Sequence, residues 1–104
     1  MAWLILIVAG VFEVVWASAM KSSEGFTRLW PTLLTVAAML ASFGLLAWAM
    51  RVLPLGTAYV VWTGIGAIGA FVVGIVFFGE SIGASRMVAA ALIVSGMVLM
   101  KTSA

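Results

Sequence analysis

Cysteine and histidine are absent from the 104 residues, and charged residues make up only 8% of them. Without thiols or imidazoles the chain cannot build a disulfide, a thiol nucleophile, a haem attachment or the usual zinc site. No glycine-rich loop followed by Lys-Ser/Thr is present, which removes the standard phosphate cradle of an ATPase. No nucleophile stands beside a base, so an enzyme is not expected, and neither is a metal, a cofactor or a nucleic-acid partner. The scarcity of charge is the main clue. A soluble domain averages about 45–50% apolar and about 25% charged residues, whereas 66% of this chain is hydrophobic. Such a composition cannot furnish a water-exposed surface, and the chain reads as an integral membrane protein.

A spanning helix needs about 20 apolar residues, so the length suits four spans and little else. Trp3 to Met20 is an apolar run broken only by Glu13. Ala17-Ser18-Ala19 has the small residues of a signal-peptide cleavage site, but no Lys or Arg precedes the run and an acid sits inside it, so a helix is expected instead. Pro31 suits the first turn of a second span, Pro54 opens a third, and Gly79-Glu80-Ser81 closes it. Helices are expected at roughly 3–20, 31–50, 55–78 and 84–100, in one integral membrane domain covering 1–104, with short linkers that make consecutive helices antiparallel.

Counted by side, Arg51 and Lys101 share the face of the N-terminus, and Lys21, Arg28 and Arg86 lie on the other. Orientation follows a Lys/Arg excess on the cytoplasmic side, and two against three is hardly an excess. Insertion both ways up is therefore expected, which permits an antiparallel homodimer with a site near the bilayer midplane.

Glu13 lies about 15 Å along its helix from Trp3, half of a roughly 30 Å core. An acid there costs about 2.5–3.5 kcal/mol even on the lowest scales, which marks it for proton or cation coupling. The competing reading is a neutral Glu bonding between helices. Ala9, Gly10 and Ala17 share its face and leave space beside the carboxylate, with Trp16 one turn on. Ser42 and Trp62 fall at a similar depth. Thr35, Met39, Ser42 and Leu46 share one face of the second helix, and Tyr59, Trp62 and Gly66 one face of the third.

Trp3, Trp30 and Trp48 fall near helix ends and read as an aromatic belt. Trp16 and Trp62 lie deeper, where an indole N–H needs a partner such as Glu13 or Ser42. Aromatic faces around a carboxylate also suit a cationic ligand. Gly64, Gly66 and Gly74 belong to a glycine-rich third helix. Gly66, Ala70 and Gly74 form a ridge that suits helix packing or bending. The fourth helix, with Ala89, Ala90, Ala91, Ser95 and Gly96, reads as the dimer interface.

Together the four short spans, Glu13, the segment Gly25-Phe26-Thr27-Arg28-Leu29-Trp30-Pro31 and the stretch Pro54-Leu55-Gly56-Thr57-Ala58-Tyr59-Val60-Val61-Trp62-Thr63-Gly64-Ile65-Gly66 resemble the small multidrug resistance transporters over the full length. Phe12-Glu13-Val14-Val15-Trp16-Ala17 and the late Lys101 are similar to the guanidinium-exporter branch. The polyaromatic-cation branch typically carries Gly in place of Trp16 and an aromatic residue in place of Met39.

The resemblance implies an antiparallel homodimer in a bacterial inner membrane that exports guanidinium, or small hydrophobic substituted guanidiniums, in exchange for protons. It implies that substrate and protons compete for the Glu13 pair, with Trp16 and Ser42 bonding the carboxylate and Tyr59 and Trp62 lining the pocket. Gly10 would leave room there, and Met39, Phe43 and Leu46 would border a lipid-facing portal for alkyl tails. Alternatives in view are a promiscuous antiporter of quaternary ammonium ions and a non-transporting membrane subunit.

Overall fold

A chain this apolar has to satisfy its backbone polar groups within its own segments, because a bilayer core offers no water to do so, and helices meet that demand. The computed structural model describes residues 1–103. Over those residues it holds α1 (Ala2–Ser22), α2 (Leu29–Ala49), α3 (Leu55–Phe78) and α4 (Ala84–Ser103), and no strand. All four helices are long and apolar enough to cross a membrane. The protein is an all-α membrane protein with four spans.

Local chemistry sets the boundaries. α2 starts two residues earlier than expected because Arg28, extended at φ −104° and ψ 126°, serves as its N-cap. Pro31 still falls in the first turn, where no amide hydrogen is needed, and its carbonyl accepts a 2.7 Å bond from the Thr35 hydroxyl. α3 follows directly on Pro54 and ends at Gly79, whose φ of +68° lets the Glu80 amide fold back onto the Gly74 carbonyl at 3.0 Å. α4 runs three residues past its expected end. There the hydroxyls of Thr102 and Ser103 bond the Leu99 carbonyl at 3.0 and 2.7 Å.

The turn between α1 and α2 is organised around Ser23, which is fully buried. Its hydroxyl donates to the Met20 carbonyl at 2.7 Å and accepts from the Phe26 amide at 3.0 Å. Its own carbonyl accepts from the amides of Thr27 and Arg28 at 2.9 and 3.1 Å. Held between these bonds, Glu24, Gly25 and Phe26 all adopt positive φ, at 52°, 74° and 68°.

α1 packs against both α2 and α3, and α4 packs along α3. The core gathers at one end of the slab, where the start of α1, the end of α2 and the start of α3 meet through Leu6, Ala9, Leu46, Ala49, Val61 and Trp62. Elsewhere large apolar side chains face outward, as expected of surfaces that meet lipid. No α4 side chain is buried. The α3–α4 corner is held by Arg86, whose Nη2 lies 3.1 Å from Glu80 Oε1 and whose guanidinium sits 5.2 Å from the Phe71 ring centre. At the other end of α4, Lys101 Nζ lies 5.0 Å from the ring centre of Trp3. The four helices form a slab of 40 × 34 × 16 Å.

Close approach of α1 and α3 depends on Gly10, where a Cβ would meet Ile65 Cγ2 at 2.5 Å and Cβ at 2.7 Å. The second atom is anchored to the α3 backbone and cannot swing away. Gly10→Ala is expected to force the two helices apart and cost about 1–3 kcal/mol, the range for an overpacked core. Unfolding of the variant in detergent by denaturant is the check, and an unchanged midpoint would contradict this packing.

Candidate functional site

Three helices meet at one hydroxyl. Ser42, fully buried on α2, donates to the Ala9 carbonyl of α1 at 2.7 Å and accepts from the Trp62 indole N–H of α3 at 2.9 Å. In an α-helix the amide of residue 13 points to the carbonyl of residue 9. Ser42 therefore docks on the turn of α1 that carries Glu13, using the carbonyl's second lone pair.

The Glu13 carboxylate lies against Gly66 of α3, so closely that a Cβ at that position would overlap Oε1 and Cδ. Oε1 is buried and has no hydrogen-bond partner, and the buried indole Nε1 of Trp16 has none either. An acceptor and a donor are thus held away from water on consecutive turns of α1, both unspent. Aromatic rings continue outward from them in a row. The ring centres of Trp16 and Phe43 are 6.3 Å apart at 77°, those of Phe43 and Trp62 5.7 Å apart at 63°, and those of Trp62 and Tyr59 5.6 Å apart at 46°. The first two pairs set ring edges against electron-rich faces and the third is tilted, a stable arrangement that also leaves faces available to a cation.

The family model described as Small Multidrug Resistance protein matches residues 1–93. The chain belongs to the small multidrug resistance family. Curated relatives include proteins named Guanidinium exporter from Escherichia coli (strain K12), 55% identical, and from Citrobacter freundii and Klebsiella oxytoca, each 52% identical. Each comparison extends over 103 residues, 99% of this chain and 98% of the relative. With four apolar spans and membership of this family, the chain is a multi-pass integral protein of the bacterial inner membrane, a transporter and not an enzyme.

Most residues singled out in the sequence come together. Glu13, Trp16, Ser42, Tyr59, Trp62 and Phe43 lie along one path across α1, α2 and α3, with Gly10 one turn before Glu13 against Ile65. Three placements differ from expectation. The Trp16 indole N–H makes no bond to the Glu13 carboxylate. The single Ser42 proton goes to the Ala9 carbonyl and not to Glu13, since a hydroxyl has one proton to donate. Leu46 is 8% exposed and belongs to the core cluster with Ala9 and Trp62, so in the single chain it borders no lipid-facing portal. Met39 is half-buried and Phe43 is 46% exposed.

The glycines act differently from a packing ridge. Gly66 seats Glu13, Gly74 seats the carboxylate of Glu80 with Oε1 2.6 Å from a Cβ position, and Gly64 receives Met97 of α4. Sequence reasoning gave Ala9 only the part of leaving space beside the carboxylate, and Gly66 only a packing or hinge role. A signal for the second existed, because Gly66 shares a helical face with Trp62 at the depth of Glu13.

Ser42→Ala strands the Trp62 N–H in a buried position and removes a donor from Ala9. The expected cost is about 1–3 kcal/mol, the desolvation penalty of the unpaired group. In a double-mutant cycle with Trp62→Phe, the combined loss in detergent unfolding should fall short of the sum of the single losses, and full additivity would show that the bond contributes nothing.

Proposed function

We propose that the protein exports guanidinium, and small hydrophobic substituted guanidiniums, in exchange for protons, working as an antiparallel homodimer. The observation that carries this reading is the unpartnered pair of Glu13 and Trp16 beside an aromatic row, in a chain 52–55% identical to proteins named Guanidinium exporter. Guanidinium is planar and presents forked N–H donors that match the two oxygens of a carboxylate. Aromatic faces beside that carboxylate favour a flat cation over water.

In this mechanism Glu13 of each subunit holds either a proton or the cation. A cation that binds displaces protons, and protons arriving from the other side displace the cation. Exchange follows when the loaded dimer, with its site neutralised, reverses its opening readily and the empty charged dimer does so slowly. The energetic basis is the cost of a bare carboxylate within the bilayer. Trp16 donates its N–H to the occupied carboxylate. Ser42 serves as a positioning residue, since its hydroxyl ties Trp62 and the Glu13 turn together, and Tyr59 and Trp62 present ring faces to the ligand.

The near balance of Arg51 and Lys101 against Lys21, Arg28 and Arg86 supports insertion in both orientations. An α4 without a buried side chain supports a partner along it. Two subunits related by an axis in the membrane plane would bring both Glu13 side chains to the midplane.

Two variants test the reading. Glu13→Gln keeps the shape of the side chain and should abolish guanidinium-evoked current in proteoliposomes without loss of folding. Proton-driven uptake retained by that variant, or a wild-type current evoked only by a bulky quaternary ammonium ion, would overturn the mechanism. Gly66→Ala leaves Glu13 intact but puts a methyl where the carboxylate sits. Its apparent affinity for guanidinium should weaken about tenfold or more, equivalent to about 1.4 kcal/mol, and a wild-type dose response would remove Gly66 from the site.

A further inference from the structure

A groove of about 670 Å³ opens between α1, α2 and α3 in the half of the subunit away from the core. Val15, Ser18 and Ser22 of α1 line it, with Trp30 and Leu34 of α2 and Phe77 of α3 beside them. It is separate from the Glu13 site. At about 100° of rotation per residue, Val15, Ser18 and Ser22 stand about 200°, 140° and 180° around α1 from Glu13, and Val14, at the inner end of the groove, about 100°.

Its depth and its mouth both have a chemical meaning. From Ser22 to Val14, which also lines it, the groove runs about 12 Å along α1, close to the roughly 15 Å of one leaflet of the hydrocarbon core. It is thus a slot from the headgroup level to near the midplane, apolar apart from Ser18 and Ser22. Trp30, which is 77% exposed, lines the mouth, and the exposed Lys21 and Arg28 stand one residue before Ser22 and two before Trp30 in the chain. Of the two acids in the loops at that end, Glu24 and Glu80, the second is engaged by Arg86, and neither Lys21 nor Arg28 makes an ion pair among the described residues. A second copy laid antiparallel would bring its Arg51 and Lys101 to the same rim, cation against cation.

We propose that the groove is a binding site for one anionic phospholipid, with an acyl chain along α1 and the phosphate against Lys21 and Arg28. Basic side chains at the membrane surface attract anionic headgroups, and an acyl chain covers the apolar wall that the helices leave open.

The test uses the purified full chain in neutral detergent, with phosphatidylglycerol or phosphatidylcholine added. Phosphatidylglycerol is expected to raise the melting temperature more than phosphatidylcholine. Arg28→Gln should narrow that difference, and Ser18→Leu, which fills the slot, should remove the rise with either lipid. Equal stabilisation of the wild type by both lipids, or a full rise retained by Ser18→Leu, would overturn the proposal. A photoreactive residue placed at Leu34 gives a readout in native membranes that does not depend on the filled variant folding. A phospholipid adduct is expected, and a crosslink to a second copy of the chain would overturn the site.

Discussion

Ser42 is where the helices of this protein are fastened. In a bilayer, a polar group that is not bonded within the protein has nothing else to bond, and one hydroxyl here satisfies a carbonyl of α1 and an indole of α3 at once. Leu6, Ala9, Leu46 and Trp62 close around that junction. Because the junction grips the turn preceding Glu13, it also fixes the height and rotation of the acid. Glu13 and Trp16 sit next to the fastened region with Oε1 of the one and Nε1 of the other buried and unpartnered. A well-satisfied network thus borders an unsatisfied pair, and the contrast separates scaffold from site.

Much of this was legible in the residues. Prolines at 31 and 54, Gly79 and the apolar runs between them mark four spans, because hydropathy over 20 residues is a strong signal and a helix start needs little more than a first turn. Glu13 stands out by depth alone. What periodicity could not reach was the register between helices. That Gly66 lies under the Glu13 carboxylate depends on how far α3 slides along α1, and no single-helix pattern encodes it. The same holds for Ser42, whose depth was readable but whose one proton had two acceptors within reason. On α2, Thr35, Ser42 and Leu46 are buried while Met39 is only half so. The shared helical face was visible; which part of it met protein was not.

Glycine in α3 illustrates how a pattern underdetermines its use. Small residues at spacings of four usually admit a neighbouring backbone. Here the two glycines of the ridge each admit a carboxylate, Glu13 at one and Glu80 at the other. The roles diverge through their surroundings. Glu80 is half-exposed at the rim and paired with Arg86, an arrangement worth about 0–1 kcal/mol, while Glu13 sits among apolar and aromatic groups with no cation beside it.

The slab is only 16 Å through, little more than one helix of about 10–12 Å with its side chains. A wall of that thickness buries little beyond the contacts between its own helices. An ion resting on it would be screened from hydrocarbon by protein on one side only, and the image-charge penalty from the other side would fall on it in full. For such a wall to carry a charge across a membrane, the missing half of the solvation shell has to come from something laid against the same face.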